Sequence, residues 1–195
     1  MGVLMLFSIS IMKYPLKRLW LLVFMSSIFF SGVFLFVLVS EWLSPYPVYF
    51  SSPFPTDSIS GNLLLLIFSI FFNNMVLSAF TFVTLPGFAF FLLPSAVLVY
   101  RACVWGFSLS RLPTWLLLMA MPTIVLEGLG YCFAASAGTI VGFSWIKPKW
   151  IYDTQTPNRI EAVKKALKEC LTNYFFVAIF LFLAAIIEAV TLMIV

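Results

Sequence analysis

The sequence predicts an all-α fold, a polytopic integral membrane bundle of about five transmembrane helices with proline- and glycine-broken segments. Three observations carry this. Hydrophobic residues make up 63% of the chain and charged residues 9%, whereas a soluble domain is nearer half apolar and about a quarter charged. The mean hydropathy is +1.11. The charges are gathered in a few places, which leaves apolar stretches of about 20 residues, the length that crosses a hydrocarbon core. At 195 residues the chain has room for one such bundle, so residues 1–195 read as a single transmembrane domain.

Residues 1–18 read as a cytoplasmic lead-in. Their apolar run, from Gly2 to Met12, comes before the basic Lys13, Lys17 and Arg18, the reverse of a secretory signal. A first span covers residues 20–40, with Trp20 and Trp42 as interfacial anchors. A second covers 62–84 and is stopped by Leu85-Pro86-Gly87, because proline removes a backbone donor and glycine weakens a helix. The third, 88–109, contains Pro94 and Arg101, and the fourth, 115–143, has Pro122 near its start. The fifth covers 171–195.

Residues 144–170 form a basic stretch with Lys147, Lys149, Arg159, Lys164, Lys165 and Lys168. Five crossings put it on the same side as the N-terminal cluster. By the positive-inside rule that side is the cytoplasm of a cell (plasma) membrane, with the C-terminus outside. The stretch 41–61 then faces outward with Glu41 and Asp57 and no lysine or arginine; Arg111 is the remaining external cation. Its segment 41–55 alternates prolines with aromatics, which suits a stiff docking surface for a protein partner or an aromatic belt on headgroups.

The inner stretch carries a helix start: Thr156 caps, Pro157 suits the first turn, and Asn158 with Glu161 has capping-box spacing. Ile160, Val163, Leu167 and Leu171 then fall on one stripe. An amphipathic helix that lays Lys164, Lys165 and Lys168 on the anionic lipids of the inner leaflet fits this pattern. So does a charged helix that only enforces orientation.

Several function classes lose their apparatus. There is no histidine, which removes the usual proton relay and the commonest metal ligand. Cys103, Cys132 and Cys170 show no CxxC spacing and read as buried thiols. No nucleophile–base pair or phosphate loop is visible, so neither catalysis, a metal nor a cofactor is expected. The net charge of +4 speaks to topology and lipid rather than to nucleic acid.

The informative residues are the ionisable groups inside the spans. Arg101 lies about 12 Å, and Glu127 about 18 Å, from the outer ends of their spans at 1.5 Å per residue; Glu188 is close to the outer end of the last. A carboxylate at that depth costs several kcal/mol unless it is paired, protonated or hydrated. The cluster Arg101, Glu127 and Glu188 reads either as an ion or substrate path or as a satisfied network that fixes helix packing. Gly130, Ala134, Gly138 and Gly142 recur every four residues and make a smooth face for close helix approach, within the bundle or in a homo-oligomer. Asn73, Asn74 and Asn173 are placed to bridge helices by hydrogen bonds.

Four motifs stand in a telling order: Phe72-Asn-Asn-Met-Val-Leu-Ser-Ala-Phe80, Tyr100-Arg-Ala-Cys-Val-Trp-Gly106, Pro122-Thr-Ile-Val-Leu-Glu-Gly128 with Ala134-Ala-Ser-Ala-Gly138, and Ala184-Ala-Ile-Ile-Glu-Ala189. Over about residues 60–195 this order resembles the stage II sporulation protein M family. Two positions depart from its pattern: Thr123 stands where histidine is usual and Ala102 where glycine is usual. The resemblance implies a polytopic membrane protein that, in sporulating bacteria, scaffolds cell-wall hydrolases during engulfment. Relatives extend to non-sporulating organisms, so only the polar positions Asn73, Asn74, Arg101, Glu127 and Glu188 are carried over. The expectation is a non-enzymatic membrane scaffold or assembly protein. The alternative is a small transporter or channel built on Arg101, Glu127 and Glu188.

Overall fold

The computed structural model describes residues 18–43, 62–152 and 158–194, all of whose regular elements are helical. Helix α1 is Leu19–Leu43 and α2 is Leu63–Ala89. Helices α3 and α4 are Leu93–Leu109 and Thr114–Ile146. A short α5, Pro148–Ile151, leads to α6, Arg159–Ile194. Helices α1, α2, α4 and α6 are each long and apolar enough to cross a membrane, and α3 is a shorter apolar helix of 17 residues. The lead-in 1–17 with Lys13 and Lys17, the outer stretch 44–61 with Asp57, and the capping residues Thr156 and Pro157 lie outside the described residues.

Side-chain contacts fix the directions of the helices. Met25 meets Ser95 and Ser40 meets Ser110, so α1 and α3 run parallel. Thr84 reaches Ala134, and Gly87 lies against Gly138, so α2 and α4 are parallel as well. Gly130 faces Leu181 while Phe133 stacks on Phe176, so α4 and α6 are antiparallel. Phe29 lies against Gly128 while Leu22 lies beside Phe133 and Ser136, so α1 and α4 are antiparallel. Taken together with α3, an apolar helix of 17 residues that runs parallel to α1, the four long helices therefore alternate in direction. Helix α4 is the axis of the bundle: every residue from Gly130 to Gly142 is buried. Helix α1 buries Leu21, Met25, Phe29 and Val33, a one-face spacing of about one turn, with Phe29 against Gly128 of α4.

The break expected at Leu85-Pro86-Gly87 falls elsewhere. Helix α2 changes from α to π geometry over Asn73–Thr84, resumes α at Leu85–Ala89, and ends at Phe90. Pro86, which has no backbone N–H, sits where the π register gives way to α, directly after Leu85, whose N–H still reaches back to Phe80 O. Gly87 is needed for a different reason: a Cβ there would lie 2.6 Å from the Gly138 backbone. The third helix consequently starts at Leu93 rather than at 88. Carbonyls at the true break find partners on α4: Trp145 donates its indole N–H to Phe88 O at 2.8 Å, and Thr139 its hydroxyl to Phe91 O at 3.1 Å. Such pairing is what an apolar surrounding demands of interrupted backbone.

The basic stretch also differs from expectation. Helix α6 is one unbroken helix of 36 residues, so its basic first turns are continuous with the last span rather than a separate element. Ala162, Ala166, Glu169 and Cys170 pack inward, while Ile160, Leu167 and Leu171 stay exposed.

Candidate functional site

Glu127 and Tyr131 are one turn apart on α4 and therefore share a face. The Tyr131 hydroxyl donates to Glu127 Oε1. From α3, Arg101 donates Nη2–H to the same hydroxyl at 3.1 Å, and its guanidinium carbon lies 3.8 Å from the Tyr131 ring centroid. Ser78, on the π-helical part of α2, lies beside the Tyr131 hydroxyl. Trp105 meets the Tyr131 ring edge-on at 6.0 Å, with Phe29 against Trp105 at 5.4 Å. Tyr131 is fully buried and Glu127 only 8% exposed, while Arg101 is half-buried.

The result is a cation–phenol–carboxylate chain running from α3 into α4 and touching α2. The phenol satisfies both ends: it accepts from the guanidinium and donates to the carboxylate. In an apolar interior each such link is electrostatically strong, and each broken link is costly. Glu188 lies within electrostatic range of Glu127 but is half-buried on α6, at the margin of the chain rather than within it. Thr123 sits one turn from Glu127 on the side away from Tyr131, and its hydroxyl is buried without a hydrogen-bond partner among the described residues. Thus Arg101 and Glu127 are brought together through Tyr131, which no motif in the sequence sets apart. The signal was available in the four-residue spacing of a carboxylate and a phenol.

The other predicted residues fall as follows. Asn74 and Asn173 are buried and Asn73 is half-buried. Hydrogen bonds between helices nearby belong instead to hydroxyls: Thr84 to Ala134 O at 2.8 Å and Tyr174 to Thr84 Oγ1 at 2.6 Å. The small-residue face is used up inside the bundle. A Cβ at Gly130 would lie 2.8 Å from Leu181, one at Gly138 2.6 Å from Thr84 O, and one at Gly142 2.2 Å from Gly87 O, while the Ala134 carbonyl takes the Thr84 bond. With α2 and α6 seated on it, that face serves close helix approach within the bundle. Lys164, Lys165 and Lys168 are exposed at the basic end, with Lys165 Nζ 4.6 Å from the Tyr152 ring centroid. All three cysteines are free, Cys132 and Cys170 buried and Cys103 half-buried.

A second polar cluster lies at that basic end. Arg18 pairs with the buried Glu169 at 3.4 Å, donates to Ile151 O at 2.9 Å and lies 5.2 Å from the Tyr152 ring centroid. It ties the start of α1 to α5 and α6. Burial, and then the charge of Glu169, push the Tyr152 phenol up from its ordinary range, against a smaller opposing effect of Arg18. In the sequence Arg18 stands only as one of the orienting charges, because nothing local links it to a carboxylate far along the chain.

Searches against curated proteins and against solved structures returned no match. The family model of stage II sporulation protein M matches residues 20–191. With that match over most of its length, and with the apolar helices of a membrane protein, the chain belongs to the stage II sporulation protein M family.

Proposed function

We propose that this membrane protein is a non-enzymatic scaffold, its basic end in the cytoplasm and its Pro/aromatic segment 45–55 presented outside to a protein partner. One observation carries the reading. The charges within the spans end on one another, half-buried Arg101 through Tyr131 to buried Glu127, between packed helices. A carboxylate engaged in that way serves to hold α3 on α4. The lack of any histidine, and of a nucleophile paired with a base, supports the non-enzymatic part. Trp42, 84% exposed at the end of α1, leads into the proposed docking segment.

Crosslinking in native membranes tests this. Deleting residues 45–55 is expected to remove crosslinked partners while the bundle stays folded; partners retained in full would overturn the scaffold reading. The transporter reading has one observation in its favour, the π-helical segment Asn73–Thr84 beside Tyr131, since π geometry recurs at functional sites. It requires solute flux in liposomes that Glu127→Gln abolishes with the fold intact.

A further inference from the structure

We propose that a groove at the basic end of the bundle, between the end of α4 and the first turns of α6, binds the headgroup of one anionic phospholipid. The groove is open, measures about 340 Å³, and is lined by Trp145, Arg159, Ile160, Val163 and Lys164. That volume lies within the range of small-ligand clefts. Its two cations come from successive turns of α6, and its remaining walls are apolar. The Trp145 indole is held in place by its bond to Phe88 O, so one wall is fixed before any ligand arrives.

The cations of this end are not equivalent. Arg18 is spent on Glu169, Lys147 lies over Trp150 at 4.0 Å and Lys165 over Tyr152. Arg159 and Lys164 are exposed and have no carboxylate partner among the described residues. Glu161, exposed on the same first turn, is not among the lining residues. An arginine fork with a lysine point charge suits a phosphodiester. The apolar walls decide the source: Trp145, Ile160 and Val163 offer nothing to a free phosphate but match the glycerol and first acyl carbons of a lipid. An indole at the end of a spanning helix also sits at headgroup depth. This site narrows the general attraction of a basic surface for anionic lipid to two cations, neither of which is Lys165 or Lys168.

Native mass spectrometry of the full chain in detergent, titrated with dioleoyl phosphatidylglycerol and with dioleoyl phosphatidylcholine, tests the proposal. The expected result is a single saturable phosphatidylglycerol adduct, with phosphatidylcholine bound far more weakly. The double variant Arg159→Gln/Lys164→Gln is expected to lower phosphatidylglycerol affinity about thirty-fold. The control Lys149→Gln/Lys168→Gln, with the same loss of charge, should change it less than threefold. Val163→Trp, which fills the groove and keeps every charge, should also weaken binding. Equal loss in both double variants, or no preference over phosphatidylcholine, would overturn the site. Displacement by millimolar inorganic phosphate, or by an acidic peptide, with Val163→Trp silent, would mean a bare anion or protein site and overturn the lipid assignment.

Discussion

The bundle holds two clusters built from the same parts, an arginine, a tyrosine and a glutamate, and it assembles them differently. At the basic end Arg18 meets Glu169 directly and lies over the Tyr152 ring. Within the spans Arg101 never touches Glu127; Tyr131 stands between them and bonds to both. The difference follows from the surroundings. At the basic end Arg18 keeps 18% of its side chain exposed and also donates to Ile151 O, so water and a backbone carbonyl complete what a 3.4 Å pair leaves open. At membrane depth a charged group left unanswered by protein is costly. A phenol, which donates and accepts, answers two charged groups at once.

The comparison predicts unequal costs. Glu127→Ala strands a half-buried guanidinium and a buried phenol, and is expected to cost about 3 kcal/mol. Glu127→Gln keeps an acceptor for Tyr131 and should cost about half of that. Thermal unfolding of the detergent-solubilised protein reads both, and a Glu127→Ala variant as stable as the parent would break the contrast. Next in size after Glu127→Ala, Arg18→Ala leaves the buried Glu169 carboxylate without its cation, at a site with some access to water, and is expected to cost about 2 kcal/mol. That cost should shrink between about 0.1 and 1 M salt, while the cost of Glu127→Ala stays constant. Matching salt responses for the two would show that both clusters see the same water.

The smallest effect concerns pH. Because the folded Tyr152 phenol titrates above its unfolded value of about 10, its contribution is fully present below pH 10 and is lost as pH rises through the folded value. Arg18, Lys165 and Glu169 are the charged groups facing it. Between pH 9 and 11 the parent should lose about 1 kcal/mol more than Tyr152→Phe. Parallel melting curves for the two proteins across that interval would remove Tyr152 from the account.

Much of the architecture is legible in the sequence, because hydropathy over a span is an additive property. The first span, read as 20–40, is Leu19–Leu43, and the fourth, read as 115–143, is Thr114–Ile146. Proline was the misleading letter. Pro86 ends nothing, since the π-helical turn before it changes which backbone groups need partners, and no residue pattern in Asn73–Thr84 announces that geometry. Arg101 and Glu127 were legible as a problem, because charge in apolar sequence is conspicuous. Their solution was less so: Tyr131 reads as one more aromatic among many. The Arg18–Glu169 pair was beyond reach, since only the folded bundle brings residues 151 positions apart together.

The close seating of α2 on α4 has a consequence for how this sequence can drift. Lipid-facing positions such as Leu64, Phe82 and Leu118 are exposed, and one bulky apolar residue there does much the same work as another. Gly87, Gly138 and Gly142 have no such latitude, because a single methyl group at any of them would overlap the neighbouring backbone. Most of this chain is therefore written in interchangeable letters. The instruction that sets which helices lie side by side is held by a few hydrogen atoms where side chains would otherwise be.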